Sequence, residues 1–308
     1  MGGTSWSSTA YRSVSSTLKT SAPSAVYTTT ASTFTSSSLD PKGVKIRECR
    51  DSDAHPNTVG VGVFLDVTGS MSKIPYDLVT NYLHLLPETL ITNGLPDCQV
   101  LFGGIGDEYS DRAPLQVGQF ESGTTELVKD LTSLFLESGG GGQSKESYEL
   151  AWHFMANHTS MDCFEKRGVK GFVFTIGDES FHNMSGPIIS KLMGYPEAIG
   201  NKTAEELFNE VSRKFHVFHI HVNQGSYRND STVLNPWKAL LGERLLVCED
   251  YTAIPALIAT TIAVVHGLDM KTVLASLPAS TASVVSTALA TLSKNELTKP
   301  NSGGIITL

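Results

Sequence analysis

The sequence is short of cysteine, of positive charge and of long uninterrupted apolar runs, and each shortage removes a class of function. Four cysteines stand far apart, at positions 49, 98, 163 and 248. No two have the Cys-x-x-Cys spacing of a zinc knuckle, and such scattered thiols lay out no disulfide framework. Buried free thiols in a reducing compartment are the expectation. Lys and Arg total 23 against 31 Asp and Glu, a formal net charge of −8. With no Lys/Arg run, that balance speaks against broad binding to nucleic acid or to an anionic membrane. The most apolar stretch, residues 252–265, contains Pro255 and is too short to span a bilayer. Met1-Gly2-Gly3-Thr4-Ser5-Trp6 lacks a basic segment followed by an apolar one, so no secretory leader is expected and the cytoplasm is the expected location. Gly103-Gly104-Ile105-Gly106-Asp107 has neither the Gly-x-Gly-x-x-Gly order nor the lysine of a Walker loop, and reads as a glycine-rich strand end.

Hydrophobic residues make up 40% of 308, enough for a sizeable core. Residues 1–50 read as a Ser/Thr-rich arm, extended or flexible because it has little to bury. Residues 51–268 read as one domain, and 269–308 as an Ala/Ser/Thr-rich tail containing a weak helix. Within the domain, residues 59–67 are almost wholly apolar, as a strand buried on both faces must be. Helical spacing follows over 74–90, with Pro75 tolerated in the first turn. Further strands are expected at 99–105, 115–120 (antiparallel to its neighbour), 171–176, 215–222 and 244–248. Helices are expected at 124–136, 144–158, 203–214 and 253–266. Alternation of this kind predicts a doubly wound, mostly parallel sheet with helices on both faces. Ligands bind such sheets outside the carboxyl ends of the strands.

The chemistry gathers at three loops. Asp66-Val67-Thr68-Gly69-Ser70-Met71 leaves the end of the first core strand with an acid and two hydroxyls. Gly139-Gly140-Gly141-Gly142-Gln143-Ser144-Lys145-Glu146 interrupts the chain before a helix, and Thr175-Ile176-Gly177-Asp178-Glu179 follows another strand. Carboxylate and hydroxyl donors without thiolate suit Mg²⁺, Mn²⁺ or Ca²⁺. Taken alone, Asp66-x-Thr68-x-Ser70 is equally a helix cap, with Thr68 or Ser70 capping the next helix.

The first loop resembles the Asp-x-Ser/Thr-x-Ser signature of von Willebrand factor type A domains, and the glycine-rich loop ending in Glu146 and the Asp178 turn resemble their second and third motifs. Order and spacing agree over roughly residues 59–266, most closely with bacterial and phage members. The resemblance implies a Rossmann-like fold of six strands and a metal-ion-dependent adhesion site. Asp66, Thr68 and Ser70 would be ligands, and Asp178 would act directly or through water. The second-motif position falls on Gln143, whose amide oxygen brings no charge. Ser144 beside it is either the ligand instead or the cap of the next helix. The implied function is non-enzymatic binding, in which a protein partner's Asp or Glu completes the coordination of Mg²⁺, with an AAA-type ATPase among the partners that relatives suggest. A structural role in a virion or other assembly is a second binding reading.

An enzyme alternative is a haloacid-dehalogenase-like phosphoryl transferase with Asp66 as nucleophile and Mg²⁺ at Gly177-Asp178. It lacks an acid at His182 and leaves Ser70 and the glycine run unexplained. Asp107, Glu108 and Asp111 read as a solvated acidic loop. His219 and His221 share a strand face, but with no third ligand they read as packed histidines rather than a zinc pair.

Overall fold

The apolar runs become strands because each is flanked by polar turns and too short for a buried helix. The computed structural model describes residues 6–19, 27, 29, 33, 38–71, 73–82, 85–95, 97–137 and 144–292. In chain order the strands are β1 Arg47–Cys49, β2 Val59–Asp66, β3 Cys98–Ile105, β4 Leu115–Val117, β5 Lys145–Glu146, β6 Thr159–Met161, β7 Gly171–Gly177, β8 Ser180–Phe181, β9 Phe215–Val222 and β10 Leu245–Cys248. Six of them form one sheet in the order β10-β9-β7-β2-β3-β4. All pair in parallel except β4, which is antiparallel to β3 at one edge. The chain therefore starts in the middle at β2, winds outward to β4, then returns to β7 and winds the other way. The reversal lies between β2 and β7, the point at which sheets of this kind bind their ligands. Asp66 ends β2, and Asp178 directly follows β7.

Alternation along β2 divides the core in two. Val61, Val63 and Leu65 face one layer, with Phe172, Phe174 and the helix Ile254–Val265. Phe64 faces the other, with Val173, Val217 and the helices Tyr148–Asn157 and Ala204–Val211. The latter helix opens on the capping box its sequence announces. The Thr203 hydroxyl accepts from Glu206 N at 3.1 Å, and the Glu206 carboxylate accepts from Thr203 N at 2.8 Å.

Three local expectations change. Residues 74–90 do not form one helix: Ile74–Asp77, a π-turn over Leu78–Tyr82 and Leu85–Thr92 follow one another. Pro87 has no N–H with which to continue the ladder. The arm contains a helix, Ser8–Lys19, and Trp6 and Leu18 pack against the core. Ser7 N donates to the Thr124 hydroxyl at 2.9 Å, which docks the start of this helix on the domain. The helix expected from Ser144 starts only at Tyr148, with Ser147 at its cap position, because Lys145 and Glu146 are taken into the pairing of β5 with β8.

Beyond residue 268 the chain forms two helices, Met270–Ala275 and Ala279–Ala288, parted by Pro278. Val273 and Val285 are wholly buried there. No helix among the described residues is long and apolar enough to cross a membrane.

Candidate functional site

Asp66 is fully buried, and its local turn explains where its hydroxyl neighbours sit. Oδ1 accepts from the Thr68 N–H at 2.9 Å and from the Thr68 hydroxyl at 2.6 Å. This is the turn an aspartate makes with the backbone two residues on. It places the Ser70 hydroxyl 3.2 Å from that of Thr68. Ser70 then donates to Asp178 Oδ1 at 2.8 Å. Four of the expected residues, Asp66, Thr68, Ser70 and Asp178, are thus joined in one hydrogen-bonded string between the ends of β2 and β7. The helix-cap reading of Thr68 and Ser70 does not hold: Lys73 occupies the cap position of the following helix, and no side chain caps it.

The other two expected residues stand differently. Gln143 lies outside the described residues. Ser144 accepts from Ser180 N at 3.0 Å through its carbonyl and is one of the residues that line a neighbouring cavity.

Residues from other elements complete the surroundings. The Tyr148 hydroxyl donates to Asp66 Oδ2 at 2.9 Å. Gly177 is required beside it, because a Cβ there would overlap the Tyr148 hydroxyl. The loop after β9 closes over Asp178: Tyr227 N donates to Oδ2 at 3.2 Å, and the Ser226 hydroxyl donates to the Ser70 carbonyl at 3.2 Å. Gly225 allows that approach, since a Cβ would run into the Asp178 carboxylate. Neither Tyr148 nor the 225–227 loop has a sequence signal, because each is distant in the chain from the residue it serves.

The electrostatics are one-sided. Glu146 and Glu179 are buried close by and repel each other. Oε2 of each lacks a hydrogen-bond partner, as do both oxygens of the wholly buried Glu149. Among the described residues no Lys or Arg forms an ion pair with Asp66, Asp178, Glu146 or Glu179. Burial, before anything else, holds the carboxyls of Asp66, Glu146 and Glu179 above the usual range, and their mutual repulsion adds to it. Asp107 and Glu108 also turn out buried rather than solvated. Asp107 is held by the Ser110 hydroxyl at 2.9 Å and the Tyr109 N–H at 3.1 Å, with His182 Nε2 at 3.3 Å.

No three His, Cys, Asp or Glu side chains among the described residues are arranged to hold a metal ion. The string is of another kind, two carboxylates and two hydroxyls. Oxygen-only donors of this composition, with uncompensated buried acids behind them, fit a hard divalent cation.

Of the two strand histidines, His219 is a packing group, whereas His221 is buried with neither ring nitrogen hydrogen-bonded. His219 is buried, stacks on Trp237 with ring centroids 3.7 Å apart and bonds the Thr175 hydroxyl at 2.9 Å. His153, on the helix Tyr148–Asn157, is 3% exposed and bonds the Tyr195 hydroxyl at 2.9 Å. Burial lowers its pKa to about 4. A histidine depressed in the folded state takes up its proton first in the unfolded chain, so its contribution is present above about pH 6.5 and is lost as pH falls toward 4. Urea unfolding at about pH 7 and pH 5 is expected to show a smaller loss in His153→Gln than in the wild type, by about 2 kcal/mol. Equal losses would mean that His153 carries no such linkage.

No family model matches the chain, and no curated protein matches it. Solved structures similar to it include the vWF domain of the type V pili tip protein Mfa5 from Porphyromonas gingivalis, with 10% identity over 67% of this chain and 95% of that one at a TM-score of 0.45. The pilus adhesin SpaC from Lactobacillus rhamnosus GG is also similar, with 10% identity over 70% of this chain and a TM-score of 0.44. The match spans only 31% of the adhesin's length. Proximal thread matrix protein 1 from the mussel byssus matches at 11% identity over 70% of this chain and 49% of its own, at a TM-score of 0.43. All three likenesses are remote.

Proposed function

We propose that this chain is a cation-dependent protein-binding domain. Asp66, Thr68, Ser70 and Asp178 would hold a divalent hard cation, with Mg²⁺ favoured and Mn²⁺ or Ca²⁺ as substitutes, and a protein partner's Asp or Glu would complete the set. The observation that carries this reading is the 2.8 Å hydrogen bond from Ser70 to Asp178. It brings the first and third loops to one point although 108 residues separate them. When bound, the cation supplies an electrophilic position that prefers an acidic ligand.

The protein's own groups orient the donors. The Thr68 N–H and the Tyr148 hydroxyl fix the Asp66 carboxylate from two sides, and the Tyr227 N–H fixes Asp178. Thr68 and Ser70 contribute donors without adding charge, so the site stays receptive to a carboxylate from outside. Phosphoryl transfer is less well supported. His182 stands where that chemistry asks for a second acid, and Ser70, which joins Asp178, has no part in it.

Calorimetric titration of the full chain with MgCl₂, MnCl₂ and CaCl₂ tests the reading. One-to-one binding of at least one of the three is expected, and silence from all three would sink it.

A further inference from the structure

Beside the hydrogen-bonded string lies a cavity of about 360 Å³, lined by Ser144, Lys145, Ser180, His182, Asn183 and Thr232. We infer that it receives a second carboxylate of the same partner segment, held by Lys145, so that the partner presents two acidic residues rather than one. The inference rests on the cation-dependent reading and deepens it by naming the partner's chemistry.

Strand geometry creates the asymmetry. Successive side chains of β5 point to opposite faces, so Glu146 enters the acidic interior while Lys145 is exposed. Lys145 therefore stands directly before a buried acid, and no carboxylate among the described residues forms an ion pair with it. The cavity wall adds donors. Asn183 Oδ1 is already engaged by Ala204 N at 2.9 Å, which leaves its amide N–H groups to offer. The Thr232 hydroxyl is spent on Asp230 at 2.7 Å. Ser144 and Ser180 line the same cavity. An ammonium and an amide, with two serines in the wall, make a receptor for an anion, whereas the surrounding interior is acidic.

The cavity is also near enough to be read by one segment. Ser180 follows Asp178 by two residues, a span of at most about 7 Å. Its N–H is tied to the Ser144 carbonyl at 3.0 Å, which fixes the cavity wall against the third loop. An extended partner segment rising about 3.3 Å per residue would therefore place its two acids within about four residues of each other.

The test is selection of a displayed random twelve-residue peptide library on the full chain in Mg²⁺, repeated with Lys145→Ala, Lys145→Glu and chelator. The expected result is chelator-sensitive peptides with two acidic positions at fixed spacing. Lys145→Ala should lose the second preference and bind the doubly acidic peptides about three- to tenfold more weakly. Lys145→Glu should replace the second acid with Lys or Arg. Far-UV circular dichroism confirms the fold of both variants, which change an exposed residue. Peptides with a single acidic position, or a second position indifferent to Lys145, overturn the inference and leave the cation reading standing. Peptides with no chelator sensitivity overturn both.

Discussion

Asp66→Asn is expected to fold and to lose the whole stabilisation that Mg²⁺ confers on the wild type. At a cation concentration a hundredfold above its dissociation constant, a single site stabilises the native state by about 2.7 kcal/mol. That increment should appear in the wild type as a rise in unfolding midpoint, vanish on chelation and be absent from the variant. Asparagine preserves the shape, and its carbonyl still accepts from Thr68, so the turn survives. It also removes a buried charge that repels Asp178 and Glu146. The amide N–H₂ that replaces Oδ2 turns the Tyr148 hydroxyl from donor to acceptor, so this loss and the relieved repulsion oppose each other, and without cation the variant should stay within about 1 kcal/mol of the wild type. This separates a ligand role from a structural one, since loss of a merely structural aspartate would destabilise the fold with or without metal. A variant that still answers to Mg²⁺ as the wild type does would remove Asp66 from the site.

The second large effect concerns what holds the site in place. Trp237→Ala is expected to cost about 3–5 kcal/mol, measured by urea unfolding. Trp237 is wholly buried against His219, Phe181 and Tyr148, with ring centroids at 3.7, 4.6 and 5.4 Å. Its indole N–H donates to the Glu179 carbonyl at 2.9 Å, so truncation leaves both a cavity and an unpaired carbonyl next to Asp178. Val169→Ala, at a residue 36% exposed, is the control and should stay within about 0.5 kcal/mol of the wild type. A loss below about 1 kcal/mol in the tryptophan variant would show that the aromatic block does not support the loops.

Much of the fold is legible in the chain because its signals are local. The apolar run at 59–66, the capping box at Thr203 and the turn at Asp66 each depend on residues within a few positions of one another. Local signals mislead where distant pairing overrules them. Ser144 looks like a helix cap from its neighbours, but β8 recruits Lys145 and Glu146 into a strand. The acidic stretch at Asp107 and Glu108 looks solvated from its polarity, yet it is buried beside His182 and Ser147. The Ser/Thr-rich arm looks unable to pack, yet Trp6 and Leu18 suffice to seat a helix on the core.

By itself, the sequence determined the doubly wound class and the candidate string Asp66, Thr68, Ser70 and Asp178, because strand periodicity and short turns are written in consecutive residues. Only the tertiary structure decided that Ser70 meets Asp178, that Tyr148 and the 225–227 loop fix the two carboxylates, and that Glu146 and Lys145 face opposite ways. Those contacts join residues brought together by the crossover between β2 and β7, and side-chain hydrogen bonds across such a crossover leave no period in the chain.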